Sequence, residues 1–351
     1  MNILVTGGCG FIGSRMIHYL IHETSHQVIN VDSLTYAGSL QNVKSIQSHS
    51  RYQFYRKDIR DAKAMLGVLQ DHAIDAVLHF AAETHVDRSI ASGPAFIETN
   101  VVGTQTLLEA VKKYLQERGS SRSGEDFRWL QVSTDEVFGD RGADGRPSVE
   151  GDPYSPSSPY SASKAAADHL VRAYERTYGI PSIITYASNN YGPDQHPEKL
   201  IPLTVERSLA GKAIPIYGGG KQVREWIYVE DHVLGIYKAL VSGSPGQSYN
   251  LGSGNQMTNI DLVQRICRIL DELDIEGDIG RTLGSYADLI AHVDDRPGHD
   301  FRYAIDSTKA KRELDWEATT AFQFGLKQTA FELVKRRRIK PLDISREVVS
   351  L

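Results

Sequence analysis

The chain has 351 residues, 40% hydrophobic and 24% charged, with a formal net charge of −5. That composition is globular, the length predicts one large domain plus a smaller one, and the charge leaves no electrostatic footprint for nucleic acid. No apolar run reaches the ~20 residues of a membrane span. Met1–Gly7 carries no signal h-region, and Cys9 and Cys267 are too few for a disulfide framework, so a cytoplasmic setting without membrane attachment is expected.

Ile3-Leu4-Val5 reads as a strand, Gly7-Gly8-Cys9-Gly10-Phe11-Ile12-Gly13 as a glycine turn, and the following apolar spacing as a helix. Gly7 permits the turn, Gly10 lets the backbone approach a pyrophosphate, and Gly13 allows close helix–strand packing. A second strand, Val28–Asp32, ends in a carboxylate placed to accept from ribose hydroxyls, which favours NAD over NADP. Tyr52–Tyr55 is a third strand, followed by Asp58-Ile59. That pair either lies beside an adenine or supplies a helix cap at Asp58. Ala76–Ala82 is a fourth strand, whose small end residues, Ala81 among them, permit close approach of a flat cofactor. His79 within it reads as structural. Glu83–Ser89 is expected to be a polar loop at a strand end, where open α/β sheets bind ligands. A helix over Ala95 to about Tyr114 carries Asn100, either a positioning group or an exposed helical Asn. The stretch 116–126 reads as a flexible surface loop.

Trp129–Val132 is a further buried strand leading into Ser133-Thr134-Asp135-Glu136-Val137-Phe138-Gly139, shortly before Tyr160-Ser161-Ala162-Ser163-Lys164. Tyr160 and Lys164 are four apart on a predicted helix and share a face. An ammonium near a phenol, together with a nicotinamide's own charge, lowers the phenol pKa and readies it to take a hydroxyl proton while hydride leaves. Thr134 can hydrogen-bond the same oxygen.

These motifs, with Leu34–Gly38, Ala82–Ser89, Asn189–Pro193, Pro197–Pro202 and Asp295–Asp300, resemble the extended short-chain dehydrogenase/reductase superfamily and, more narrowly, the dTDP-glucose 4,6-dehydratase family, over about residues 1 to 330. The resemblance implies a doubly wound parallel Rossmann sheet, bound NAD, no metal and a homodimer. It implies C4 oxidation of a hexose by Thr134, Tyr160 and Lys164. Glu136 would then remove the acidified C5 proton, Asp135 would protonate the departing C6 hydroxyl, and hydride would return to C6. Cofactor contacts are implied at Gly7, Gly10, Phe11, Ile12, Gly13, Asp32, Asp58, Ile59, Ala81, Tyr160 and Lys164. Contacts to the sugar nucleotide are implied at His85, Asn190, Lys199, Leu200, Tyr217, Arg224, Asn250, Arg296, His299 and Tyr303.

The expected domains are 1–188 with a return at about 225–250, which would hold NAD, and 189–224 with 251–335, which would hold the sugar nucleotide; 336–351 is a tail. Its basic run, Lys335–Arg338, reads as a solvated end after a helix over Phe322–Val334. Departures from the family pattern fall at Phe138, Tyr186-Ala187 and Asp194, all expected near the pocket, and leave dTDP against UDP open. A 4-epimerase, a decarboxylase and a non-catalytic NAD sensor are the rivals. The Asp135-Glu136 pair argues against the first two, and the Thr134–Tyr160–Lys164 relay against the third.

Overall fold

The structure is a computed structural model and describes residues 1–118, 127–273 and 284–339. The chain divides into two compact units. The first comprises Met1–Asn190, Gln222–Gln256 and Arg296–Thr319, and the second comprises the described residues of Tyr191–Lys221, Met257–Asp295 and Thr320–Leu351. The sequence reading leaves Arg296–Thr319 in the smaller domain. The structure returns it to the first unit, where Ser148 N donates to Ala304 O and Asp306 N to Ser148 O.

The strands of the first unit are β1 (Asn2–Thr6), β2 (Gln27–Asp32), β3 (Tyr52–Arg56), β4 (Ala76–His79), β5 (Arg128–Thr134) and β6 (Ser182–Ala187), followed by β7 (Asn189–Tyr191), β8 (Ile214–Tyr217), β9 (Val223–Tyr228), β10 (Ser248–Leu251), β11 (Gln256–Thr258) and β12 (Ile290–Val293) farther along the chain. A seven-stranded sheet runs β10-β6-β5-β4-β1-β2-β3, every pair parallel. Strands buried on both faces read as near-continuous apolar runs, and alternate residues feed opposite layers. Ile3, Val5 and Leu130 pack with Met16, Ile17 and Leu20 of α1 (Phe11–Glu23) and with Ile236 of α8 (Val229–Ser242). Leu4, Val77 and Trp129 face Met65 of α2 (Ala62–Asp71), Leu108 of α5 (Thr104–Arg118) and Val171 of α6 (Pro159–Tyr178).

Strand order reverses between β1 and β4, the position where open α/β sheets take ligands. β4 ends at His79, earlier than expected, and Glu83–Ser89 is no simple loop: α3 (Val86–Ala91) begins there, with His85 Nδ1 accepting from Arg88 N. Then follow α4 (Pro94–Phe96), a π-helical segment at Ile97–Gly103, and α5, so Gln116–Arg118 is helix; the rest of the expected loop, 119–126, lies outside the described residues. Asn100 sits in the π segment and is buried, not exposed. Its Oδ1 accepts from Glu83 N at 2.8 Å, and its Nδ2 donates to Glu83 O at 3.0 Å and Ser163 Oγ at 2.8 Å. Asn100→Ala would remove three buried hydrogen bonds, two of them to the Glu83 backbone. It is expected to cost about 2–4 kcal/mol in a denaturant melt.

In the second unit α7 (Leu200–Leu209), α9 (Asn259–Glu272) and α11 (Phe322–Ile339) bury Ile201, Val205, Leu262, Ile266, Leu326 and Ala330, while β8 and β12 pair in parallel. A short α10 (Thr308–Leu314) belongs to the first unit. α11 runs through the start of the expected tail as far as Ile339, and Lys335 and Arg336 of the basic run are exposed on it. Arg336 pairs with Asp194 at 2.5 Å and Arg337 donates to Glu206 O at 2.9 Å.

Candidate active site

At the switch point Gly7 has φ +69°, and a Cβ there would lie 2.7 Å from the Ala81 backbone. A Cβ on Gly13 would lie 2.3 Å from Gly7 O, so only glycine lets α1 approach this closely. Gly10 is the N-cap of α1 with no side-chain cap, which leaves first-turn N–H groups beside Phe11 and Ile12 for an anion. Asp32 ends β2 and accepts from Cys9 N at 2.8 Å and Leu34 N at 2.7 Å, holding the glycine turn against the strand end. Burial raises its pKa against those bonds. Each carboxylate oxygen keeps a second lone-pair site. Asp58 is no helix cap: Asp61 caps α2, and Asp58 pairs with Arg60 at 2.8 Å, which lowers its pKa. Ile59 is buried in the sheet's helix layer. A glycine cradle, an uncapped helix start and a terminal acid fit a dinucleotide.

β5 delivers Thr134, and the chain turns at once into a 3₁₀ helix, Asp135–Phe138, ended by Gly139 at φ +75°. Thr134 Oγ1 accepts from Glu136 N at 3.3 Å and donates to Asp135 Oδ1 at 3.4 Å. Asp135 is 3% exposed, and its Oδ2 has no hydrogen-bond partner among the described residues. Burial, then Glu136 and Glu225, push its pKa well above the ordinary aspartate value, which favours the protonated form. Glu136, next in the chain, is half-buried.

Ser158 and Ser161 form a capping box around Pro159, which fixes the start of α6 and aims Tyr160 and Lys164 along one face. Tyr160 is buried, and Thr134 favours its phenolate form. Lys164 Nζ donates to Val132 O at 2.9 Å, pinning the helix to β5. The expected lowering of the phenol pKa is not found in the chain alone. Burial and the Glu136 charge drive Tyr160 well up, while Lys164 is itself pushed down by burial. In a dry site desolvation exceeds the help of one ammonium, and a cationic ligand has to supply the rest. His79 is structural: it bonds Thr6 Oγ1 at 2.6 Å and Thr104 Oγ1 at 3.0 Å, and burial lowers its pKa to about 3.

The first unit also holds Arg224, whose guanidinium donates to Val223, Asp300 and Phe301 carbonyls and lies 4.5 Å over the Tyr303 ring. Tyr303 OH bonds Asp300. Arg296, in a turn with Gly298 at φ +64° and His299, pairs with Asp87. Asn190 Oδ1 meets His232 Nδ1 at 2.8 Å. Asn250 lies inside β10, fully buried, with Nδ2 on the Ser148 and Asp306 carbonyls. In the second unit Lys199 is the N-cap of α7, Leu200 its first residue, and Tyr217 ends β8. Of the departures, Phe138 and Tyr186 are buried and pack edge to face at 4.9 Å, and Asp194 pairs with Arg336. Asp168 is a group sequence reasoning missed as part of this site, whereas Asn100 reads from the sequence as a positioning group or an exposed helical Asn. A polar residue on the inner face of a helix was the available signal for Asp168.

A parallel sheet with a glycine turn at its switch point, and a Thr–Tyr–Lys set at the end of β5, define a nucleotide-dependent dehydrogenase of the extended short-chain type with an added acid–base pair. The family model described as GDP-mannose 4,6 dehydratase matches residues 4–329. A dTDP-glucose 4,6-dehydratase of Escherichia coli is 50% identical over 94% of this chain and 92% of its own. A solved dTDP-glucose 4,6-dehydratase of Streptomyces venezuelae, with NAD and TYD bound, superposes with a TM-score of 0.86 at 42% identity, covering 97% of this chain and 98% of that one. One from Bacillus anthracis, in complex with NAD, gives 0.82 at 42%, covering 96% and 98%. The chain belongs to the GDP-mannose 4,6-dehydratase family and, within it, to the dTDP-glucose 4,6-dehydratases.

Proposed function

We propose that this chain is an NAD-dependent hydro-lyase that converts dTDP-glucose to its 4-keto-6-deoxy product. The observation that carries the reading is a buried Asp135, raised by burial and by the adjacent Glu136, directly after Thr134 and with Tyr160 buried beside the same charges. Two adjacent carboxylates in unlike environments can divide acid and base roles. NAD, when bound, takes the hydride from C4 and gives it back at C6, so none is consumed. Tyr160, oriented by Thr134 and with Lys164 on the same helix face, takes the C4 hydroxyl proton. The ketone acidifies C5–H, and Glu136 removes that proton. Asp135 donates its proton to the leaving C6 hydroxyl, and Glu136 then returns a proton to C5.

The NAD contacts proposed are Gly7, Gly10, Phe11, Ile12, Gly13, Asp32, Asp58, Ile59 and Ala81, with Tyr160 and Lys164. The crowding at Gly13 and the uncapped α1 support this reading. Gly13→Ala is expected to yield protein purified with at least about tenfold less bound NAD, because the displaced turn misplaces the helix N-terminus; cofactor content after denaturation reads this. For the nucleotide sugar the proposed contacts are His85, Asn190, Lys199, Leu200, Tyr217, Arg224, Asn250, Arg296, His299 and Tyr303. The larger unit is proposed to hold NAD and the smaller to take part in sugar-nucleotide binding. The proposed assembly is a cytoplasmic homodimer through Ala95–Tyr114 and Ser161–Tyr178, a reading supported by exposed Ile97 (49%), Val102 (44%) and Tyr178 (51%). Among the described residues no helix is long and apolar enough to cross a membrane.

The test is incubation with dTDP-glucose, and separately UDP-glucose, without added cofactor, followed by mass spectrometry. Loss of one water mass from dTDP-glucose supports the reading, loss from UDP-glucose alone changes the nucleotide, and an unchanged mass with altered sugar configuration replaces it with an epimerase.

A further inference from the structure

Tyr160, Lys164, Asp168 and Arg172 recur every fourth residue along α6 and form one slowly turning stripe on the face that meets the sheet. The proposed chemistry uses only the first two. Asp168 is fully buried. Its Oδ2 accepts from Ser133 Oγ at 2.5 Å and from Tyr154 OH at 3.3 Å, while Oδ1 has no partner among the described residues. The Tyr154 hydroxyl meets the Tyr186 hydroxyl at 2.5 Å, and Arg172 Nη2 donates to Tyr186 at 2.8 Å. With Tyr154 donating to Asp168, Tyr186 donates to Tyr154. Every donor from Arg172 inward then points toward the carboxylate. Phe138 packs against both tyrosine rings, at 5.6 Å and 4.9 Å, and seals the run.

Ser133 immediately precedes Thr134 on β5, so the Ser133–Asp168 bond ties the strand end that carries Thr134 to the helix that carries Tyr160 and Lys164. The Lys164 ammonium is buried, and Asp168 supplies the negative charge that favours it. Lys164 favours the Asp168 carboxylate in turn, though burial still raises that carboxyl to about 6.

We propose that Asp168 is a positioning residue for the catalytic helix, its carboxylate acting as the buried counter-charge of Lys164 and as the anchor of the Ser133–Thr134 strand end. This rests on the dehydratase reading for its kinetic consequence but not for its thermodynamic one. The groups that bear on it are Lys164 and Arg172 on α6, Ser133 on β5, Tyr186 on β6, and Tyr154 with its ring neighbour His169. Those that bear on Tyr160 are Thr134, Asp135, Glu136 and Asp168, and His79 faces Lys164.

The sign of the effect follows from charge. Removing an anion lowers the pKa of the Tyr160 phenol and of the Lys164 ammonium alike, so both limbs of the activity profile move the same way. Asp168→Asn, in the full chain with its bound NAD, is expected to slide the pH profile of kcat toward lower pH by about one unit, with kcat at the wild-type optimum down about tenfold and KM little changed. Tyr186→Phe weakens the support of the carboxylate, and a smaller shift in the same direction is expected. The second readout needs no activity. A carboxyl raised to about 6 makes the wild-type chain most stable below the unfolded-state pKa and less stable as pH rises through 6. Thermal melts of Asp168→Asn are expected to lose that decline, and a wild-type chain inactive on dTDP-glucose would leave this arm decisive. If Asp168→Asn fails to fold, Tyr186→Phe carries the kinetic test. A pH profile that stays in place in the folded variants, or an unchanged melting slope in Asp168→Asn, overturns the proposal.

Discussion

Glu136→Gln is expected to produce a chain that oxidises dTDP-glucose but barely dehydrates it. Gln keeps the shape of Glu136 and cannot take a proton, so removal of C5–H falls by about 10²–10⁴. Oxidation at C4 relies on Thr134, Tyr160 and Lys164, which the substitution leaves in place. Reduced nicotinamide should therefore accumulate on mixing and be visible by rapid-scan absorbance, while product mass shows little water loss. A second signature comes from charge. Glu136 raises both Tyr160 and Asp135, so its removal lowers both. The oxidation limb should move to lower pH, because a less raised phenol is deprotonated sooner. Abolished reduction of the nicotinamide with water loss intact would reverse the proposed roles.

Tyr160→Phe should stop the sequence one step earlier. The C4 hydroxyl then has no acceptor for its proton, and turnover is expected to drop by about 10³ or more. No reduced nicotinamide should form, and in D₂O no deuterium should enter C5, since without the ketone that hydrogen is not acidic. The fold should survive. The ring is buried and packs edge to face on Phe96 at 6.4 Å, and those contacts remain in phenylalanine. A melting curve unchanged within about 1 kcal/mol, beside a dead oxidation step, separates chemistry from stability. Deuterium at C5 would show that another group oxidises the sugar.

Much of this site is legible because the chain writes it locally. Gly7, Gly10 and Gly13 lie between a strand and a helix, Asp32 ends the next strand, and Tyr160 and Lys164 are one helical turn apart. Backbone geometry alone brings such residues together. The unforeseen features are long-range. Asn100 reads as either a positioning group or an exposed helical Asn until the π segment turns it onto Glu83 and Ser163. Glu83–Ser89 reads as a polar loop until α3 begins within it, with His85 as the N-cap. Phe138 and Tyr186, nearly fifty positions apart in the chain, pack on each other edge to face.

The amino-acid sequence by itself determined the parallel sheet, the dinucleotide turn, the relay and the acidic pair, since period, spacing and turn chemistry are properties of neighbouring residues. Tertiary structure alone decided the direction of their pKa shifts. Burial and the charges of Glu136 and Glu225 raise Asp135, and burial with the Glu136 charge raises Tyr160 rather than lowering it. It also joined Ser133, Asp168, Tyr154, Tyr186 and Arg172 into one hydrogen-bonded run. Desolvation depends on what surrounds a group in space, and no spacing along the chain encodes that.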